Sequence, residues 1–150
     1  AEAYAAWLQT ARDDGLSYGI PTVNQFLRAA RGEADWRYPW GDNPNHPALV
    51  CEGVRYSESR PVSLLGRLGS RAPAIVGLAG NVFEYVRDTE GGRLLRAGGC
   101  FVMPANACTL DTMLDADWLS IDAISSDGGI NVPVRPERLT GFRIVRQSEK

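Results

Sequence analysis

Histidine is almost absent from this sequence: His46 is the single copy in 150 residues, flanked by prolines in NPNHP. One imidazole in a turn cannot supply a Ser-His-Asp relay, and it reads as a turn residue rather than a metal ligand. Cysteine is scarce too, with Cys51, Cys100 and Cys108 the only three and no CxxC pair among them. An odd, unpaired set fits neither a disulfide framework nor a zinc site, and Cys51 reads as a small buried apolar residue. No stretch approaches the roughly 18 apolar residues of a membrane span. The opening AEAYAAWLQT lacks the charged n-region and cleavage-like site of a signal peptide, so the sequence does not point to a compartment. Basic charge is not in excess: 16 Lys and Arg stand against 18 Asp and Glu, interspersed along the chain, for a net charge of -2. That balance offers no electrostatic footprint for nucleic acid.

What is present is the composition of an ordinary soluble globular domain, 44% hydrophobic and 23% charged, at a length that suits one core. Tyr4, Trp7, Leu8 and Ala11 fall at i, i+3, i+4 and i+7, which predicts a first helix closed by Gly15. Thr22 followed three residues later by Gln25 is a capping box, and Phe26, Leu27 and Ala30 extend it into a second helix that ends at Gly32. From RYPWGDNPNHP onward, turn residues recur every few positions and only short strands remain. Gly92 to Gly98 and Thr140 to Arg146 are the best strand candidates, and SSDGGINVPVRPE reads as a long surface loop. GLAGNVFEYVRD suits either a buried strand after a turn or the start of a helix. As a strand it would set Phe83 and Tyr85 on one face and Glu84 on the other.

Taken in order, AYAAWL, IPTVNQFLRAARGE, YPWGD, GLAGNVFEYVRD, LLRAGGCF and GFRIVR resemble the sulfatase-modifying-factor domain, the family of the formylglycine-generating enzymes. The resemblance runs from Ala1 to about Arg146, weakest between Asn43 and Ala74. It implies an α+β, formylglycine-generating-enzyme-type C-type lectin fold over residues 1–150: two helices packed on small twisted antiparallel sheets, with extensive loops. Family domains carry a segment before the AYAAWL helix, including a strand that pairs with the final GFRIV strand. The expectation is therefore a single domain lacking the family's N-terminal portion, whose last strand needs a missing segment or a partner strand.

The resemblance also implies two metals. In family members the segment matching GLAGNVFE wraps calcium through main-chain carbonyls at the positions of Gly80 and Val82 and a carboxylate at that of Glu84. A further oxygen ligand comes from an Asp or Asn where this chain has Gly77, so Glu84 is either a calcium ligand or a structural acceptor for main-chain N–H groups. The enzymes bind copper(I) between two cysteines five residues apart in the loop after GGS. Here GGCFVMPANAC puts Met103 at the first position and Cys108 at the second, while Cys100 replaces the serine. A thiolate and a thioether are both soft, so the pair still suits copper(I), though less tightly. The arginine-rich stretch that usually follows is replaced by TLDTMLDADWLSID, whose carboxylates at Asp111, Asp115 and Asp117 read as a solvated face.

The expected function is a non-catalytic module binding a protein or small-molecule ligand. Variable proteins of diversity-generating retroelements use this fold and alter residues in its C-terminal portion. The matching region, Phe101 to Leu139, offers Asn106, Asp111, Trp118, Asp122, Asp127 and Asn131 as a recognition surface. Trp118, Leu119 and Ile121 serve equally well as a plug on the sheet. The alternative function is a copper-dependent, formylglycine-generating-type oxidase acting on a peptide cysteine, with Cys108 retained and Cys100 or Met103 as its partner.

Overall fold

A computed structural model describes residues 1–46, 48–51, 58–62, 75–88, 92–115 and 139–148. In chain order these form helix α1 (Glu2–Ala11), strand β1 (Leu16–Gly19), helix α2 (Val23–Arg31), and strands β2 (Phe83–Arg87), β3 (Leu94–Ala97), β4 (Met113–Asp115), β5 (Thr140–Gly141) and β6 (Val145–Ser148). A 3-10 turn at Ala105–Ala107 precedes β4.

Helix α2 ends at Gly32 as expected, whereas α1 stops at Ala11 with the extended Arg12 as its C-cap, short of the expected Gly15. In α2 the expected capping box is complete: the Gln25 N–H donates to Thr22 Oγ1 at 3.2 Å, and the Thr22 N–H donates to Gln25 Oε1 at 2.9 Å. Helix α1 departs from expectation in the face it buries. Only Ala5 is buried, whereas Tyr4 and Trp7 of the apolar stripe are 46% and 57% exposed. Tyr4 lies with its ring 5.4 Å from Trp7 and 5.6 Å from the half-exposed Phe142, making an aromatic row on the surface.

Strands β4, β3, β2 and β5 form one sheet in that order, antiparallel except for the parallel pair β2–β5. The sheet is therefore mixed, not wholly antiparallel as expected. Strand β2 has apolar clusters on both sides. Phe83 packs with Tyr38, Leu49, Cys51, Cys100 and Cys108, while Val86 packs with Phe26, Ala30, Ala97 and Leu110. Period-2 alternation sends Phe83 and Val86 to opposite faces.

The terminal segment corrects one expectation. Thr140 to Arg146 is not one strand: it breaks at Phe142 to Ile144, giving β5 to the four-stranded sheet and β6 to a second sheet. On one edge β6 pairs antiparallel with β1, Leu16 opposite Ser148 and Gly19 opposite Val145. Strand β1 was not legible in the sequence: LSYG is short and only half-buried. Its outer edge is covered by Gln9 of α1. The Gln9 amide donates to Leu16 O at 2.9 Å and accepts from the Tyr18 N–H at 3.0 Å, as a neighbouring strand would.

Candidate functional site

The site is built where two glycine motifs meet. Gly80 and Asn81 both take left-handed backbone, with φ of 70° and 65°. Gly80 must be glycine because a Cβ there would stand 2.5 Å from the carbonyl oxygen of Val50. Its N–H donates to Gly98 O at 2.7 Å, and the Asn81 N–H donates to Val50 O at 2.7 Å. The Phe101 N–H returns to Asn81 O at 2.9 Å, so GLAGNVFE and RAGGCF are sewn together by main-chain bonds. The strand alternative for GLAGNVFEYVRD holds, since β2 starts at Phe83, directly after this turn.

From Gly99 the chain enters the loop that the resemblance marks for copper. Gly99 touches Cys108: a Cβ on it would lie 2.7 Å from Cys108 Cα. Cys51, Cys100 and Cys108 are all fully buried, and Met103 lies with them in one apolar cluster. The Cys108 thiol donates to Cys100 O at 3.4 Å and points to Met103 O at 3.7 Å. Burial pushes Cys100 up to about 12 and raises Cys108 as well, with Cys51 and Cys100 beside it adding to the rise. The soft sulfur donors are thus gathered in an apolar core, with Cys100 and Cys108 held as protonated thiols. Among the described residues no group of three or more His, Cys, Asp or Glu side chains is arranged to hold a metal ion. As arranged, these sulfurs pack together in one apolar core.

The YPWGD motif roofs this loop. Tyr38, buried at its base, donates its hydroxyl to Ala105 O at 2.9 Å and stacks on Trp40, which stacks on His46 with ring centroids 4.6 Å apart. His46 accepts the Ala48 N–H through Nδ1 at 3.2 Å, in the turn where the sequence puts it.

Among the described residues no main-chain N–H donates to Glu84, where the expectation had such donors. Its carboxylate oxygens receive Nε and Nη2 of Arg143, and Nη2 also donates to Val76 O at 3.1 Å. Burial raises the Glu84 carboxyl above its ordinary range, and the Arg143 bonds draw it back only in part. With both oxygens engaged by a guanidinium, and with Gly77 providing no side chain, this donor set does not fit calcium.

Of the expected ligand-binding residues, Asn106 and Asp111 lie within the described residues and both face solvent. Asn106 sits on the 3-10 turn, and Asp111 pairs with Arg31 Nη1 of α2 at 3.1 Å. The structure does not unite them in a closed pocket. Trp118, Asp122, Asp127 and Asn131 lie outside the described residues, as do Asp117 and SSDGGINVPVRPE. Sequence reasoning missed two site residues. Arg143 falls inside the expected Thr140 to Arg146 strand, and its available signal is a cation among apolar neighbours in GFRIVR. Arg31 follows the apolar face of α2, and nothing local in the sequence points it to Asp111.

Residues 1–148 match the sulfatase-modifying factor enzyme 1-like domain. The chain belongs to this family. The two helices beside small sheets, with much of the described chain in ordered loops, are the family's C-type-lectin-like arrangement. No curated protein matches the chain. Among solved structures it is similar to the crystal structure of CarF, with 19% identity and a TM-score of 0.47, covering 89% of this chain and 48% of that one. This sulfatase-modifying-factor domain thus spans about half the length of CarF. Among the described residues, no helix is long and apolar enough to cross a membrane.

Proposed function

We propose that this sulfatase-modifying-factor domain is a non-catalytic binding module, recognising a protein or small-molecule ligand through the segment between β3 and β5. One observation carries the reading: the loop that would hold the family's copper turns Cys100, Met103 and Cys108 inward, while Asn106 and Asp111 beside them face solvent. Cys100 and Cys108 are wholly buried and Met103 nearly so. An oxidase acting on a peptide cysteine needs its soft ligands ionised and within reach of the substrate thiol. A binding module needs exposed, interchangeable polar groups on a fixed frame, and main-chain bonds to the Gly80–Asn81 turn supply that frame. The variable proteins of diversity-generating retroelements offer a functional analogy within this fold. The net charge of -2 keeps nucleic acid outside the proposed ligands.

The test is an anaerobic copper(I) titration of the reduced protein against a chromophoric competitor, with Cys108→Ser alongside. No binding above background is the expected result. Tight one-to-one binding that vanishes in Cys108→Ser would replace this reading with the oxidase, and Cys100 and Met103 would then be the next positions to substitute. Given the expected result, Asn106 and Asp111 variants should change which probes of a peptide and glycan array are retained.

A further inference from the structure

The Glu84–Arg143 pair lies in the turn where family members hold calcium. Calcium is bound by carboxylate and carbonyl oxygens, and Arg143 satisfies the same two kinds of acceptor. Its Nε and Nη2 take the two oxygens of Glu84, and Nη2 adds the main-chain carbonyl of Val76 at 3.1 Å. The side chains are 11% and 25% exposed, so the carboxylate is largely cut off from water and needs a counter-charge. The backbone delivers that charge. Strand β5 sets Gly141 opposite Glu84, and Arg143 follows two residues later, just before β6 departs for the other sheet. A close β2–β5 approach permits the reach: a Cβ on Gly141 would meet Val82 Cγ2 at 3.2 Å. The planar fork of a guanidinium matches a carboxylate at two points, which the ammonium of a lysine cannot do. Gly77 removes the remaining side-chain ligand that calcium would use.

We propose that Arg143 is the resident cation of the Gly77–Glu84 turn, replacing calcium there and making the turn's structure independent of divalent ions. The pair ties the β2 turn to the segment joining the two sheets.

The experiment is thermal melting of the wild type, Arg143→Lys, Arg143→Gln, Glu84→Gln and the double variant Glu84→Gln/Arg143→Gln, each with chelator and with calcium. The wild type should melt at one temperature in both buffers. Arg143→Gln, which leaves a buried carboxylate unpaired, should melt lower by roughly 10 °C, and Arg143→Lys should recover only part of that loss. The double variant should melt above Arg143→Gln, because both charges are gone. This arm keeps the test informative if Arg143→Gln alone does not fold. A wild-type melting point that rises with calcium, in a manner abolished by Glu84→Gln, would overturn the proposal. So would an Arg143→Gln variant as stable as the wild type, or a double variant no better than Arg143→Gln.

Discussion

The side-chain amide of Asn81 takes both main-chain hydrogen bonds of Arg60: Oδ1 accepts the Arg60 N–H at 2.6 Å, and Nδ2 donates to Arg60 O at 3.2 Å. One side chain thereby stands in for a strand, and it does so from left-handed backbone that asparagine tolerates better than most residues. Replacing Asn81 with glycine keeps the backbone and removes the amide, while alanine removes the amide and adds strain. Asn81→Gly should cost roughly 2 kcal/mol in chemical denaturation, and Asn81→Ala about 1 kcal/mol more. Equal losses would mean that φ at this position carries no strain.

Gly99 is held against Cys108 as Gly80 is against Val50, with backbone rather than flexible side chain as the obstacle. Gly99→Ala should therefore destabilise by at least about 2 kcal/mol. Gly15 also has positive φ but open space around it, so its alanine variant should lose only the smaller backbone cost. The midpoint difference between the two variants measures the contact with Cys108.

Buried thiols make stability sensitive to alkali and to nothing milder. Cys100 sits at about 12 in the folded chain against an ordinary 9.0, and Cys108 is raised as well. Below pH 9 both states keep these protons, so the thiols contribute no pH dependence. Between about pH 9 and 12 the unfolded chain releases protons that the folded chain retains, and stability should fall by roughly 1.4 kcal/mol per pH unit per thiol. Cys100→Ala should flatten the slope. At pH 8 a thiol-reactive dye should label none of the three cysteines until denaturant is added.

Gln9 should matter more than an exposed helix residue usually does. Gln9→Ala removes both bonds to β1, with an expected loss of about 1–2 kcal/mol. Hydrogen exchange at the Tyr18 amide should quicken, while that at Val86 in the buried centre of β2 should not.

Asp111 separates function from fold. Its pair with Arg31 is exposed on the carboxylate side, so Asp111→Asn should shift stability by less than about 1 kcal/mol. Any change it makes in ligand retention can then be attributed to the surface. A large loss of stability would instead make Asp111 a structural clamp on α2.

The legible parts of this protein are those whose cause is local. Thr22 and Gln25 cap α2 with groups three residues apart, and Phe83 and Val86 alternate along one strand, so neighbouring residues carry the information. Helix α1 shows the limit of such reasoning. Its periodicity predicts the helix correctly, yet the stripe through Tyr4 and Trp7 stays in solvent, because periodicity reports an apolar face and not what covers it.

By itself the sequence determined the family, the two helices, the glycine turns and the shortage of histidine, since each follows from residue type and spacing along the chain. Tertiary structure alone decided that β6 pairs with β1, that Gln9 closes the edge of that sheet, that the three thiols share one core, and that Arg143 meets Glu84. Those partners are far apart in sequence: Arg143 lies 59 residues from Glu84. Only the folded backbone brings them together, and a buried carboxylate that finds a guanidinium within reach pairs with it because the alternative is an uncompensated charge.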